Sequence, residues 1–247
     1  MSLDEFAEGP PSLGDDTLQL LGQVSTATIQ NQLFLRGLRR TVLEGVLPLV
    51  AERPRFAGEA FTLRYIPARE DLDVVAAFRD PKHPQRVAVE SVPPGHVLVC
   101  DSRQDPRAAS AGEILVTRLG VRGAAAFVTD GAVRDSYEMA ATGIPVFAAG
   151  VTPTTNLVLH HAVDIQVPIG CGGVAVYPGD VLVGDEEGVV VIPRHLADEI
   201  AVNALEQEEL ERFLLERVRQ GAPVPGTYPP DDVTRAAYAR SREETAG

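Results

Sequence analysis

The segment with the most chemical potential begins at the start of a predicted helix, Ala111–Gly120. Gly112 and Glu113 open this helix, and glycine closes it. The first backbone N–H groups of a helix have no partner within the helix, and the helix dipole favours an anion there. The amides of Ile114 and Leu115 are therefore candidates for binding a substrate carboxylate.

A second candidate group follows a buried strand that the sequence predicts at Ala124–Asp130. Arg134 and Asp135 come shortly after it, where open α/β folds usually place ligands. The planar fork of Arg134 suits a carboxylate or the edge of a 2-oxo acid. Asp135 suits Mg²⁺ or Mn²⁺, and Glu113 could hold a water on that ion. An exposed Arg–Asp pair with no function, contributing at most about 1 kcal/mol, is the competing interpretation.

The predicted elements that position these residues form an α/β body. A helix capped near Ser25 comes first, and a long amphipathic helix, Leu196–Gln220, comes near the end. The meander of short strands between Ile165 and Ile192 is expected to form a second sheet. The remaining predicted elements are the strands Gly58–Ile66, His96–Asp101 and Ile144–Ala148 and the helix Ser136–Thr142.

The composition narrows the function classes. A chain of 247 residues with 45% hydrophobic and 23% charged residues fits one globular domain. Its net charge of -13 argues against binding to nucleic acid, which needs clustered Lys and Arg. Cys100 and Cys171 cannot build a disulfide framework, so we expect a reducing, cytoplasmic setting. Neither a signal peptide nor a membrane span is recognisable in the sequence, so no membrane partner is expected.

We expect three parts along the chain. Residues 1–15 read as an N-terminal arm, residues 16–225 as a single catalytic domain that includes the C-terminal helix, and residues 226–247 as a Pro-rich tail. Cys171 is interpreted as a packing residue because no basic residue lies near it in the sequence. His160 and His161 form no zinc-protease motif and are interpreted as packing or surface residues.

Several motifs together resemble those of one family. Glu113, twenty intervening residues and Arg134-Asp135 resemble the acidic-x20-Arg-Asp signature of metal-dependent pyruvate aldolases. The later segments Cys171–Asp180 and Asp185–Pro193 are similar to the same group. On these motifs the chain resembles the RraA-like family, which includes 4-hydroxy-4-methyl-2-oxoglutarate aldolases, over about residues 20–225.

The resemblance implies a swivelling β/β/α fold with N- and C-terminal helices, assembled as a homotrimer or a hexamer (a dimer of trimers). It implies Asp135 as the metal ligand, Arg134 as the substrate-binding and catalytic arginine, and Glu113 as the acidic residue that holds a metal-bound water. Active sites would lie between subunits, with Glu209 as the candidate from a neighbouring C-terminal helix. Substrate binding would further use Gly112, Glu113 and the amides of Ile114 and Leu115.

The activity implied is that of a divalent-metal-dependent carbon–carbon lyase, an aldolase or oxaloacetate decarboxylase that acts on a small 2-oxo acid through a pyruvate enolate. Two alternatives stay open. Members without the Arg–Asp pair resemble non-catalytic regulators of ribonuclease E. The stretch Arg64–Asp71 is unlike that expected of aldolases, which leaves a dehydratase or hydratase of a sugar-derived 2-oxo acid as the third interpretation.

Overall fold

The computed structural model describes residues 13–50 and 55–246. Within these residues the helices are α1 (Asp15–Leu21), α2 (Thr26–Leu35), α3 (Pro84–Ser91), α4 (Glu113–Val121), α5 (Ser136–Met139), α6 (Ala197–Arg219) and α7 (Asp232–Ala246). The strands are β1 (Leu47–Pro48), β2 (Phe56–Pro67), β3 (Val97–Asp101), β4 (Ala109–Ala111), β5 (Ala126–Val133), β6 (Val146–Val151), β7 (His160–Ile165), β8 (Ile169–Cys171), β9 (Val174–Val176), β10 (Val181–Asp185) and β11 (Gly188–Ile192).

One long strand, β2, joins two parts of the main sheet, whose order is β1-β6-β5-β3-β2-β10-β11. Its first residues pair antiparallel with β10, and its later residues pair parallel with β3 and antiparallel with β7. The prediction that the meander forms a separate sheet is therefore wrong for β10 and β11. Twelve residues allow β2 to serve neighbours that a shorter strand could not reach.

The chain before β2 nearly closes this sheet into a barrel. The amide of Leu43 donates to the Val189 carbonyl at 2.9 Å, and the amide of Val191 donates to the Thr41 carbonyl at 2.7 Å. A few residues later, β1 pairs with β6 at the other end of the strand order. The segment thus covers edges that would otherwise expose unpaired backbone groups.

The parallel strands β3, β5 and β6 form the centre of the body. All eight residues of β5 are buried, which fits a strand covered on both faces. One face packs with α3 and α4 around Leu98, Leu119 and Phe127. The other face packs inside the barrel around Val99, Phe147 and Leu182. The predicted βαβ unit is confirmed, and it fixes the position of the candidate site.

The terminal helices cover the β10–β11 layer. Helix α2 begins where predicted, and the Oγ of its cap residue Ser25 accepts from the amide of Thr28 at 3.2 Å. Ile29 and Leu33 of α2 and Ile200 of α6 belong to one cluster of buried hydrophobic residues. The predicted β/β/α body with helices at both ends is confirmed.

The end of the chain differs from the predicted tail. Residues Asp232–Ala246 form α7, and the ring of Tyr238 lies 5.4 Å from that of Phe213 on α6. Of the predicted arm, residues 1–12 lie outside the described residues, and Asp15 already belongs to α1. Among the helices described, none has the length and apolar character needed to cross a membrane.

Candidate active site

The pairing of two parallel strands brings the two predicted parts of the site together. Strand β5 continues through Val133, beyond the predicted end at Asp130, so that Arg134 directly follows it. Its neighbour β4 ends at Ala111, immediately before α4 begins. The amide of Arg134 donates to the Ala111 carbonyl at 3.1 Å. This bond places the Arg134-Asp135 pair beside the amino end of α4.

The backbone of Asp135 has a conformation that few residues other than glycine adopt. Its φ of 56° and ψ of 41° lie in the left-handed region, at the cap of α5. The carbonyl of Asp135 accepts from the amide of Met139 at 2.8 Å, which anchors this turn. Such strain, held by the surrounding structure, is often found at functional sites.

The Asp135 carboxylate contacts both predicted parts of the site. Its Oδ2 lies 3.4 Å from Nε of Arg134 and accepts a long hydrogen bond, also 3.4 Å, from the amide of Glu113. The side chains of Arg134 and Asp135 are both 44% exposed, so that solvent or a ligand can reach both. A Cβ on Gly112 would lie 2.5 Å from Asp135 Oδ2, so only glycine leaves room for this arrangement.

The two amides predicted to bind a carboxylate, those of Ile114 and Leu115, lie at the start of α4 near Asp135, but one of them already has an acceptor. The amide of Leu115 donates to the Gly112 carbonyl at 3.2 Å, so it already has an acceptor. Ile114 is the second residue of α4, and its side chain is 82% exposed. An anion at the helix start would have to share the Leu115 amide with the Gly112 carbonyl or replace that carbonyl as its acceptor.

A cavity of about 150 Å³ opens at the same place. Five of the predicted site residues line this cavity: Gly112, Ile114, Leu115, Arg134 and Asp135. Glu113 is not among the lining residues. The volume resembles that of a cavity in another protein that admits benzene, so a small acid can enter. The other lining residues are Phe78, Gln85, Arg86, Ala109, Ser110, Ala111, Thr155 and Asn156.

The wall formed by α3 and the preceding 3₁₀ turn, Val75–Arg79, is not predicted from the sequence. The guanidinium of Arg86 lies over the ring of Phe78, 4.5 Å from its centre. The Nε2 of Gln85 donates to the Ser110 carbonyl at 2.7 Å and to the Tyr65 hydroxyl at 3.2 Å. Pro84 at the start of α3 is the one local signal, since it predicts a helix start but not which cavity the helix faces.

The buried carboxylate of Asp130 connects β5 to neighbouring turns. Asp130 accepts backbone hydrogen bonds from Ser102 at 2.6 Å and from Gln104 and Gly172 at 3.1 Å each. Burial raises the pKa of Asp130 to about 6, although these donors oppose the shift. Asp130 therefore links β5 to two turns and does not line the cavity.

Other candidates fall outside the cavity. Glu209 lies on α6, where its carboxylate is 3.9 Å from Arg242 of the same chain. Its role in a neighbouring subunit stays a prediction. Cys171 is fully buried, in agreement with a packing role, and burial raises the pKa of its thiol. His160 is buried against Tyr65, and His161 contacts Asp73 at 2.7 Å.

The donors at the site suit a hard cation bound by few protein ligands. Among residues 13–50 and 55–246, no three His, Cys, Asp or Glu side chains converge as a metal site. Mg²⁺ often uses only one or two protein carboxylates and completes its shell with water and substrate oxygens. The half-exposed carboxylate of Asp135, which accepts from the backbone amide of Glu113, fits such a site.

Comparison with known proteins agrees with this architecture. A model of the RraA-like family, described as Aldolase/RraA, matches residues 26–191. A Halalkalibacterium halodurans protein named "Putative 4-hydroxy-4-methyl-2-oxoglutarate aldolase" is 36% identical over 121 residues, 49% of this chain and 57% of that protein. A Thermus thermophilus protein named 4-hydroxy-4-methyl-2-oxoglutarate aldolase is 32% identical over 151 residues, 60% of this chain and 84% of that protein.

The chain spans about half the length of the first curated relatives it matches, 57% and 47%. Among solved structures, Streptomyces coelicolor RraAS2, described as an unusual member of the RNase ES inhibitor RraA protein family, superposes with a TM-score of 0.73. It is 32% identical, and the match covers 83% of this chain and 98% of that one. Because the family model matches well over half of the residues, this chain belongs to the RraA-like (Aldolase/RraA) family.

Proposed function

We propose that the chain is a divalent-metal-dependent lyase that cleaves a carbon–carbon bond of a small 2-oxo acid. The observation that carries the proposal is the meeting of Asp135, Arg134 and the amino end of α4 at one cavity. Relatives named as aldolases support the same reaction class.

The proposed substrate binds by its 2-oxo acid end. Arg134 would grip the carboxylate with its planar fork, and the α4 amides would share that charge. Asp135 would hold Mg²⁺ or Mn²⁺, which, when bound, supplies positive charge at the keto oxygen and stabilises the enolate left by bond cleavage. The same enolate would arise from retro-aldol cleavage or from decarboxylation of oxaloacetate.

Proton transfer is assigned to Glu113. The bond between the third and fourth carbons of a 4-hydroxy-2-oxo acid breaks as the 4-hydroxyl loses its proton. Glu113 begins α4, and its backbone amide donates to Asp135; its carboxylate would accept that proton through a water. Glu113 would then return this proton through the same water to the enolate carbon, which gives pyruvate.

Pyruvate release tests this activity directly. The purified protein is incubated with oxaloacetate, or with a 4-hydroxy-2-oxo acid, and Mg²⁺, and pyruvate is followed with lactate dehydrogenase. Asp135→Ala should abolish metal-dependent release, whereas the control Asp71→Ala, in an exposed loop, should not. A wild-type protein without turnover on any 2-oxo acid would exclude the lyase. A dehydratase would instead consume a sugar-derived acid without releasing pyruvate.

A regulatory function is the second candidate, because RraAS2 is described as a member of an RNase inhibitor family. The discriminating assay measures cleavage of a ribonuclease E substrate with and without this protein. Inhibition that survives Asp135→Ala, together with absent lyase turnover, would favour the regulator.

We propose that the assembly is a homotrimer or a dimer of trimers in which α6 of one subunit brings Glu209 near the cavity of the next. Light scattering after size-exclusion chromatography measures the subunit number. Glu209→Gln should lower turnover without changing that number, and an active monomer would contradict the shared site.

A further inference from the structure

The cavity has a second cationic side chain, Arg86, that the proposed chemistry does not use. It lies on α3 and, like Arg134, lines the cavity. The 2-oxo acid end of a substrate occupies Arg134 and Asp135 in the proposed function. Arg86 is therefore available to the other end of the molecule.

Arg86 has no carboxylate partner among the residues that the structure describes, although acidic residues outnumber basic ones, 35 to 22, in the whole chain. Its guanidinium is half-buried and stacks on Phe78 at 4.5 Å. Burial lowers its pKa, since the charge has lost part of its water without gaining a fixed anion. A partly dehydrated guanidinium held on an aromatic ring is prepared to bind an anion.

A second unsatisfied group lies on the same wall. Gln85 is 4% exposed, and its Nε2 has two acceptors, but its Oε1 has no donor among the described residues. A buried acceptor without a donor is destabilising. Because Gln85 also lines the cavity, its Oε1 is placed to accept from a hydroxyl of the substrate. Oε1 cannot bind a carboxylate, so an anionic group at this wall is left to Arg86.

We propose that Arg86, held on Phe78, is a specificity-determining residue that binds a second anionic group at the distal end of the substrate. The inference rests on the proposed function for the reaction but makes its own claim about substrate choice. The enzyme should prefer a 2-oxo acid with a distal carboxylate over one with a neutral end.

Two substrates that differ only at the distal end test this claim. 4-Hydroxy-2-oxoglutarate and 4-hydroxy-2-oxopentanoate share the pyruvyl half, and both release pyruvate, with glyoxylate or acetaldehyde as the other product. The ratio of their kcat/KM values should favour the first substrate by at least about 10-fold in the wild type, the value of one charge-assisted hydrogen bond.

Arg86→Met keeps the apolar stem on Phe78 but removes the charge. It should lower that ratio about 10- to 100-fold, whereas Arg86→Lys should restore part of it. Arg79→Met, on the exposed side of the same 3₁₀ turn as Phe78, is the matched control and should leave the ratio unchanged. Melting temperatures confirm that the variants are folded. A ratio that Arg86→Met leaves unchanged would overturn the proposal.

A binding measurement separates this proposal from the lyase activity. Calorimetry compares 2-oxoglutarate with 2-oxopentanoate, neither of which can undergo the cleavage. The wild type should bind the dicarboxylate more tightly, and Arg86→Met should bind both alike. A protein without turnover but with this preference would retain the Arg86 assignment and exclude the lyase, whereas equal binding of both acids by the wild type would overturn the assignment itself.

Discussion

Gly112 and Asp135 lie so close that a Cβ at position 112 would come within 2.5 Å of the Asp135 carboxylate. The same Cβ would lie 3.0 Å from Nε of Arg134. The atoms that it meets belong to side chains, which can move, and the φ of Gly112, −124°, suits any residue. An added methyl group would therefore displace the two functional side chains without breaking the fold.

We predict that Gly112→Ala lowers kcat/KM for pyruvate release by about 10- to 100-fold, because a displacement of about 1 Å in a catalytic group can cost that much. The free energy of unfolding should change by less than about 1 kcal/mol. Gly120→Ala in the same helix, where the nearest atom is 4.0 Å away, is the control. Full activity in Gly112→Ala would show that the close contact has no functional meaning.

Arg134→Lys keeps the charge but loses the planar fork. If Arg134 grips the 2-oxo acid carboxylate with two hydrogen bonds, kcat/KM should fall by about 10- to 100-fold. Steady-state kinetics measures this loss, and Arg69→Lys, at an exposed ion pair with Asp71, provides the control. Wild-type kinetics in Arg134→Lys would exclude a bidentate role.

Gly131→Ala should act on stability. A Cβ there would lie 2.6 Å from Cβ of Ser102 and 2.9 Å from Oγ of Ser110, inside the buried centre of the sheet. Overpacking of this kind costs about 1–3 kcal/mol, which urea denaturation measures. Gly170→Ala, with no atom within 4 Å, is the control and should cost less. Equal stability of the two variants would contradict the packing described for β5.

Asp130 predicts a pH dependence of stability. Its pKa is raised to about 6 in the folded protein, above the value of about 3.9 in an unfolded chain. The folded state therefore holds a proton that the unfolded state releases. The contribution of Asp130 to stability is full below about pH 4 and is lost as the pH rises through about 6.

Asp130→Asn removes this titration, and its amide nitrogen cannot accept the backbone N–H bonds. The variant should be less stable than the wild type at pH 4.5, by about 1–3 kcal/mol. The difference between the two proteins should shrink at pH 7.5. Urea denaturation at both pH values measures it, with Asp71→Asn as the exposed control. A difference that stays constant or grows with pH would contradict the assignment.

The sequence was sufficient to predict the part of the site that local structure builds. Gly112 and Glu113 mark a helix start, and Arg134 and Asp135 follow a strand, so each half can be read from residues near one another. That the halves meet depends on the pairing of β4 with β5. The family resemblance, and not the periodicity, indicated this meeting.

The wall formed by α3 could not be predicted in the same way. Arg86 lines the cavity because the strand order β2-β3-β5 brings segments that are distant in the sequence next to each other. No local spacing in the sequence encodes that order. The pairing of β2 with both β10 and β3 could not be predicted from the sequence for the same reason. Helix α7 was missed because Pro229 and Pro230 suggest a loop, whereas Tyr238 gains its packing only against Phe213 of α6.

The most direct test of the central claim is the binding of Mn²⁺ in the presence of oxalate, an analogue of the pyruvate enolate, followed by electron paramagnetic resonance. We predict one tightly bound ion per chain in the wild type and a loss of affinity of at least about 10-fold in Asp135→Asn, with Asp71→Asn unchanged. Equal Mn²⁺ affinity in the wild type and Asp135→Asn would contradict a cation held by Asp135.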